Sequence, residues 1–524
     1  MAKILISDSL DPSGLSLFQE AGVEVHQLTA EERPRLPEIL ADYEALVVRS
    51  STQVTADLMK AGKKLKVVGR AGIGVDNVDV AAATELGILV VNAPTANLMS
   101  ATEHTFALLL SLARRVPEAD ASTKAGGWDR KLTGVELQGK TLGIIGFGRI
   151  GQRVADRARG FEMKITAYDP FLDAAAARKL DVELLPLDDL LARADVITFH
   201  TPLTKESRNL LNRERIAKMR KGALVVNCGR GGVIDEEALL EALESGHLGG
   251  AALDVFAEEP PKDLRLVRHK RVVATPHLGA QTREAQERIS IETAQMVLAA
   301  LSGSLAVAAV NLPFRPTGGR AEPFMALGET LGRMAGSLIG GPLQRLQVDV
   351  SGLDEALCAP VAVAVLKGAL TPFQGEDVNY VNAEQIAKAR GIEVVRSIRS
   401  APGEYPNLVE LTLSGGAGGD RSVKLGGTVF GDHDLRVVRF EDYRLEFRPE
   451  GKLLVLENHD KPGVVGKIGT LLAEADVNIA DIHLARHGQE AVAVLRLDQE
   501  PSEELVERLA ALPEVKSARR VLLG

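Results

Sequence analysis

At 524 residues the chain is too long for one hydrophobic core and should hold three or four domains. A composition of 45% hydrophobic and 25% charged residues is that of an ordinary globular protein, and no run approaches the roughly 18 uninterrupted apolar residues of a membrane helix. With 71 acidic against 62 basic side chains the net charge is -9, which argues against a nucleic-acid partner, since phosphate contacts need a clustered basic surface. The opening MAKILISDS enters a strand pattern with no secretory apolar region, and Cys228 and Cys358 lie too far apart for a disulfide framework or a metal knuckle. A cytoplasmic protein without a structural metal is expected.

Along the first 95 residues, KILISD, ALVVRSS, KVVGRAG and ILVVNAP read as strands, with helical spacing between them over 56–62 and 80–87. This is a small doubly wound unit whose strand ends are Asp8, Arg49, Arg70 with Gly72 and Gly74, and Asn92. A long helix follows. Ser100 with Glu103 reads as its capping box, and Phe106, Leu109, Leu110 and Ala113 as its inward face.

From Thr141 the apolar runs TLGIIGF, KITAYDP, DVITFHTP, ALVVNCGR, AALDVF and VVATPH follow one another, each ending in a residue suited to chemistry. In an open parallel sheet, ligands bind outside the carboxyl ends of the strands, so these ends describe one cleft. Residues 282–303 read as a helix with Ile289, Thr293, Met296 and Val297 inward; it leads back to the first unit, which a strand ending at Asn311 should close. The Pro- and Gly-rich stretch 312–323 is a linker signal. Beyond it come a helix over 327–338, the strand RLQVDVSG, and the turn SGGAGGD between two strands, none carrying a chemical motif. From Lys452 the order is strand, helix, two strands, helix, strand, a ferredoxin-like βαββαβ module.

GFGRIG, with Gly146, Gly148 and Gly151, follows a strand and opens a helix, and Asp169 ends the next strand. Such glycines permit a tight turn and close approach of a pyrophosphate to a helix N-terminus, while the carboxylate accepts from ribose hydroxyls. Asp169 also repels a 2′-phosphate, and Pro170 and Phe171 offer no compensating cation, so NAD is favoured over NADP. Arg230, Glu259 and His277 form a second set: a fork for a carboxylate, a group that tunes an imidazole, and a base that titrates near neutrality. Together they suit hydride chemistry on a 2-hydroxy acid.

The order GFGRIG, YDP, HTPLT, NCGRGGVID, LDVFAEEP and TPHLGAQT resembles the D-isomer-specific 2-hydroxyacid dehydrogenase family over residues 1–311. Residues 452–524 resemble an ACT domain, and the stretch before them resembles the intervening domain of the longest subclass. The resemblance implies an α/β protein with two doubly wound parallel-sheet domains, Rossmann and flavodoxin-like, plus an α+β intervening domain and a ferredoxin-like ACT domain. The implied boundaries are 1–97 with 283–312 for substrate, 98–282 for NAD, 320–450 for the intervening domain and 452–524 for the ACT domain. It implies catalytic Arg230, Glu259 and His277. For NAD it implies Gly146, Gly148, Arg149, Ile150, Gly151, Asp169, Thr201, Cys228, Arg230, Asp254, His277, Gly279 and Ala280.

For the substrate, which the longest subclass makes 3-phosphoglycerate, the resemblance implies the backbone amides of Gly72 and Ile73 at the carboxylate. Relatives often carry threonine where this chain has Ile73, so no side-chain contact is implied there. Arg49, Arg70, Asn97 and Arg130 are its candidates for the phosphate. Trp128 resembles the segment through which two family subunits clasp, giving a homo-oligomer, dimer or tetramer. Asp460 and Asn478 match the positions that take a small effector, here serine. Three rival readings stay open: a glyoxylate or hydroxypyruvate reductase, a non-catalytic NAD-sensing corepressor, and an amino-acid sensor whose dehydrogenase part is vestigial.

Overall fold

The computed structural model describes residues 2–304, 308–315, 318–399 and 404–523. Its first sheet is wholly parallel, in the order Glu24–Gln27, Lys3–Ile6, Ala45–Val48, Val67–Arg70, Leu89–Asn92, the flavodoxin-like arrangement. Ala45–Val48 is buried at every position, as a strand covered by helices on both faces must be. The edge strand Glu24–Gln27 is half-exposed and polar, so it left no apolar run to read.

The long helix runs Leu98–Ala113 and starts ahead of the expected capping box. Ser100 is buried inside it, and its hydroxyl donates to the Asn97 carbonyl instead of accepting from the backbone, so no box forms. Phe106, Leu108, Leu109, Leu112 and Ala113 are all buried, a wider apolar surface than one stripe, because the helix lies on the second sheet beside Arg149–Gly160.

That second sheet has seven parallel strands in the order Val272–Ala274, Gly250–Leu253, Leu224–Asn227, Val196–Phe199, Thr141–Ile145, Lys164–Tyr168, Glu183–Leu184. The order reverses between Val196–Phe199 and Thr141–Ile145, so the crevice for a ligand opens there, over the glycine turn. Thr282 then caps the helix Arg283–Leu301, its hydroxyl accepting from the Ala285 amide. This helix packs back on the first unit: a Cβ on Gly14 would run into Ser290, and the Gly14 amide donates to the Ser290 hydroxyl at 3.1 Å. The chain therefore crosses between the two sheets twice. The strand expected to end at Asn311 is reduced to one antiparallel bridge, Ala309 with Val91, supported by the Asn311 side chain accepting from the Val90 amide; residues 305–307 lie outside those described.

In the C-terminal half, helices Glu322–Ile339 and Glu355–Gln374 cover a six-stranded sheet ordered Glu393–Arg399, Leu343–Ser351, Leu408–Gly415, Arg421–Phe430, Asp434–Phe440, Tyr443–Phe447. By length and composition Glu355–Gln374 could cross a membrane, but 61% of its apolar window is buried, and it serves as a core helix. The last sheet is antiparallel, in the order Ile479–His487, Glu490–Leu497, Gly451–His459, Val515–Leu523, with helices Val464–Glu474 and Glu503–Ala510 on one face. Strand alternation divides its residues. Leu454 and Leu456 face those helices, whereas Leu453 and Val455 join the core of the preceding sheet, so the last two units share one interior. Asn379 ties this half to the first unit, its amide donating to the Gly87 carbonyl at 2.7 Å.

Candidate active site

Gly146 takes φ +90°, and a Cβ there would lie 2.6 Å from the His200 carbonyl oxygen; on Gly151 it would meet the Gly146 oxygen. The first glycine thus allows the turn and the last lets the helix Arg149–Gly160 start against it. Gly148, the N-cap, has open space where a Cβ would be. The helix start therefore presents free amides to a clear surface, as a pyrophosphate requires. The Asp169 carboxylate accepts from the Phe147 amide at 2.8 Å and the Phe171 amide at 2.9 Å. A carboxylate has about four acceptor sites, so two remain for ribose hydroxyls. These residues fit NAD.

The imidazole of His277 meets Glu259 at 2.7 Å through Nδ1, while the other Glu259 oxygen accepts from the Phe256 amide at 3.0 Å. The Glu259 hydrogen bond raises the His277 pKa, partly opposed by burial, and Arg230 lies near enough to push it back down. His277 sits in the left-handed region at φ +57°, a conformation that persists only where its surroundings impose it. Four strand spacings separate the end of Val272–Ala274 from the glycine turn, about 19 Å along the crevice.

Arg230 stands on a turn built by Asn227, which accepts from the Gly229 amide and donates to the Arg230 carbonyl. Its Nε donates to Asp76 of the first unit at 2.9 Å, and a Cβ on Gly74 would collide with its guanidinium. The two units thus close on each other at this point. Arg70 folds against Gly72, and burial, with Arg230 and Arg49 nearby, lowers its pKa to about 10. The buried Asp8 carboxylate accepts from the Arg49 amide at 2.6 Å, fixing the turn that carries Arg49. Asn97 has a buried side-chain oxygen without a partner among the described residues, and the Ile73 carbonyl accepts from Asn92 at 2.6 Å.

Other expected residues stand differently. Arg149 donates across the cleft to the Pro94 carbonyl at 3.2 Å, and the Thr201 hydroxyl points to the Pro202 carbonyl. Burial pushes the Cys228 thiol up to about 12, so it is neutral. Asp254 is fully buried, and its carboxylate accepts from the amides of Leu278 and Gly279, securing the turn that holds His277. Arg130 is exposed and, among the described residues, joins none of the cleft contacts, and Trp128 is 81% exposed. Asp460 pairs with Arg486 at 3.5 Å, and Asn478 donates to Asp498 at 2.7 Å. They lie at opposite ends of the last sheet, about 25 Å apart by strand rise, so one chain does not bring them together. Sequence reasoning missed Asp76, Asn227 and His104, whose importance comes only from what they touch; the GIGVDN run holding Asp76 was the nearest signal.

Residues 106–279 match the family model for the D-isomer specific 2-hydroxyacid dehydrogenase NAD binding domain, which is the class this sheet and crevice define. The D-lactate dehydrogenase of Aquifex aeolicus, solved with NAD and lactic acid, superposes with a TM-score of 0.52 at 30% identity over 58% of this chain and 96% of its own. Residues 320–441 match the D-3-phosphoglycerate dehydrogenase intervening domain and 452–514 the ACT domain. The D-3-phosphoglycerate dehydrogenase of Methanocaldococcus jannaschii is 42% identical over 98% of this chain and 99% of its own, and that of Bacillus subtilis is 40% identical over 99% of each. The chain belongs to the D-3-phosphoglycerate dehydrogenase family.

Proposed function

We propose that the protein catalyses the NAD-dependent oxidation of 3-phospho-D-glycerate to 3-phosphohydroxypyruvate, the first step of the phosphorylated route to serine. The observation that carries this is the 2.7 Å His277–Glu259 pair beside Arg230, in a chain similar from end to end to D-3-phosphoglycerate dehydrogenases.

The amides at Arg149 and Ile150, with the clear surface over Gly148, would hold the pyrophosphate, and Asp169 the ribose. Thr201, Cys228, Gly279 and Ala280 line the rest of the crevice. Bound NAD supplies the hydride acceptor. Arg230 and the amides of Gly72 and Ile73 orient the substrate carboxylate, a placement suited to the guanidinium fork. Arg49 and Arg70, with Asn97, take the phosphate; the mutual repulsion of the arginines makes this corner attractive to a dianion. His277 receives the hydroxyl proton on Nε2 while Glu259, on Nδ1, fixes the tautomer and stabilises the imidazolium that forms.

The protein works in the cytoplasm as a homo-oligomer, dimer or tetramer, with the exposed Trp128 segment as one contact between copies. Serine is the effector of the ACT domain. Because Asp460 and Asn478 lie at opposite ends of one sheet, a serine held by both is shared between two copies. Initial rates with 3-phosphoglycerate, glycerate, lactate and, in reverse, glyoxylate and hydroxypyruvate, each with and without serine, test the reading. The phosphorylated acid should lead by orders of magnitude. Equal or better rates with unphosphorylated acids would replace it with a general reductase, and no NAD reduction at all with a sensor.

A further inference from the structure

Behind the His277 turn lies a histidine that the proposed reaction does not use. His104 projects from the helix Leu98–Ala113, and its Nε2 is 3.1 Å from both Asp254 Oδ1 and Thr275 Oγ1. The Thr275 hydroxyl donates to the same Asp254 oxygen at 2.6 Å, and the amides of Leu278 and Gly279 donate to the carboxylate at 2.7 and 2.8 Å. The Asp254 carbonyl accepts from the His277 amide at 2.9 Å. One buried carboxylate thus grips the segment on both sides of His277, and among the described residues His104 is the one donor to it from another element.

We propose that His104 is a positioning residue for proton transfer: its hydrogen bond fixes Asp254, and through Asp254 the left-handed turn that sets the His277 imidazole on Glu259. The inference rests on His277 being the base. Burial opposes ionisation of Asp254, but the donors from His104, Thr275 and Leu278 outweigh it and hold the carboxyl below its ordinary range. Removing the His104 donor leaves Asp254 Oδ1 held only from its own segment, by Thr275 and Leu278, and frees the carboxylate to turn. The amides of Leu278 and Gly279 then lose their anchor, and the imidazole drifts from Glu259. The ionisable groups acting on His277 are Glu259 and Asp254, which raise its pKa, and Arg230, which lowers it. Cys228, also near Asp254, is neutral. Loosening the turn weakens the raising influences, so the alkaline-rising limb of the oxidation rate moves to lower pH while the rate ceiling falls.

The test compares His104→Leu and His104→Gln in the full-length enzyme by kcat, KM and pH profile, with NADH fluorescence titration and thermal unfolding alongside. Glutamine keeps an N–H donor of similar reach. His104→Leu should lower kcat by about 10- to 100-fold, as a misplaced catalytic group does, with the KM for 3-phosphoglycerate within about twofold and the pH limb displaced downward. His104→Gln should recover most of both. Thr275→Val removes a second donor to the same oxygen while leaving the helix sequence unchanged, and should shift the limb the same way even where His104→Leu fails to fold. An unmoved limb in all three variants, or equal loss in leucine and glutamine, overturns the proposal. A wild-type enzyme without activity, or one indifferent to His277→Asn, overturns the reading of His277 instead.

Discussion

As the proposed base, His277 has to be neutral to accept a proton and charged once it has done so, and Glu259 at 2.7 Å supports the second state at the expense of the first. Because that contact raises the imidazole pKa, oxidation should rise with pH through a limb above the ordinary histidine value of about 6.5, and reduction should fall through the same limb. Glu259→Gln removes the charge, so the limb should move down and the ceiling with it, as a pH-rate profile would record. His277→Asn should lower turnover by about 10² to 10⁴ with NADH affinity nearly intact, measured by fluorescence titration beside steady-state rates. These residues were legible because each sits just past an apolar run, where a parallel sheet gathers its chemistry. Asp76 and His104 were not. An aspartate in a glycine turn and a histidine on an apolar helix look ordinary until the fold shows that one reaches Arg230 across the cleft and the other grips Asp254.

Strands buried on both faces announce themselves as Val- and Ile-rich runs, which is why the two parallel sheets and the final βαββαβ unit could be read from the chain. Glu355–Gln374 could not. Its alanines and valines leave no polar stripe, and Pro360 and Pro372 read as breaks, so periodicity had nothing to mark. Its packing depends on one glycine from each of the two helices: a Cβ on Gly332 of the facing helix would collide with the Val365 carbonyl oxygen, and one on its own Gly368 with the Glu329 carbonyl oxygen. Alanine in a helix interior is otherwise favoured over glycine by about 1 kcal/mol. Here the obstacle is backbone, which cannot swing aside, so Gly332→Ala should still destabilise, by about 1–3 kcal/mol. Thermal unfolding would show a lower midpoint, and an unchanged or higher one would mean that the helices part at little cost.

Across the whole molecule, the ACT unit shares one interior with the intervening sheet, and the intervening unit in turn meets the first unit through Asn379 at Gly87. Asp460→Ala should abolish any serine effect and spare basal activity, measured as inhibition curves on the same preparation; retained inhibition would move the effector elsewhere. The order of these units was legible from motif order, whereas their fusion into one interior was not, because alternating strand residues do not reveal which face meets which neighbour.

The two crossings of the chain, after Asn92 and again after Gly279, act as a pair of straps between the lobes. A single tether would let one lobe swivel in any direction, but two restrain it to a jaw-like swing about the line joining them. Any swing of that kind would close with Arg230 returned to the same place over Gly74, where the guanidinium meets Asp76.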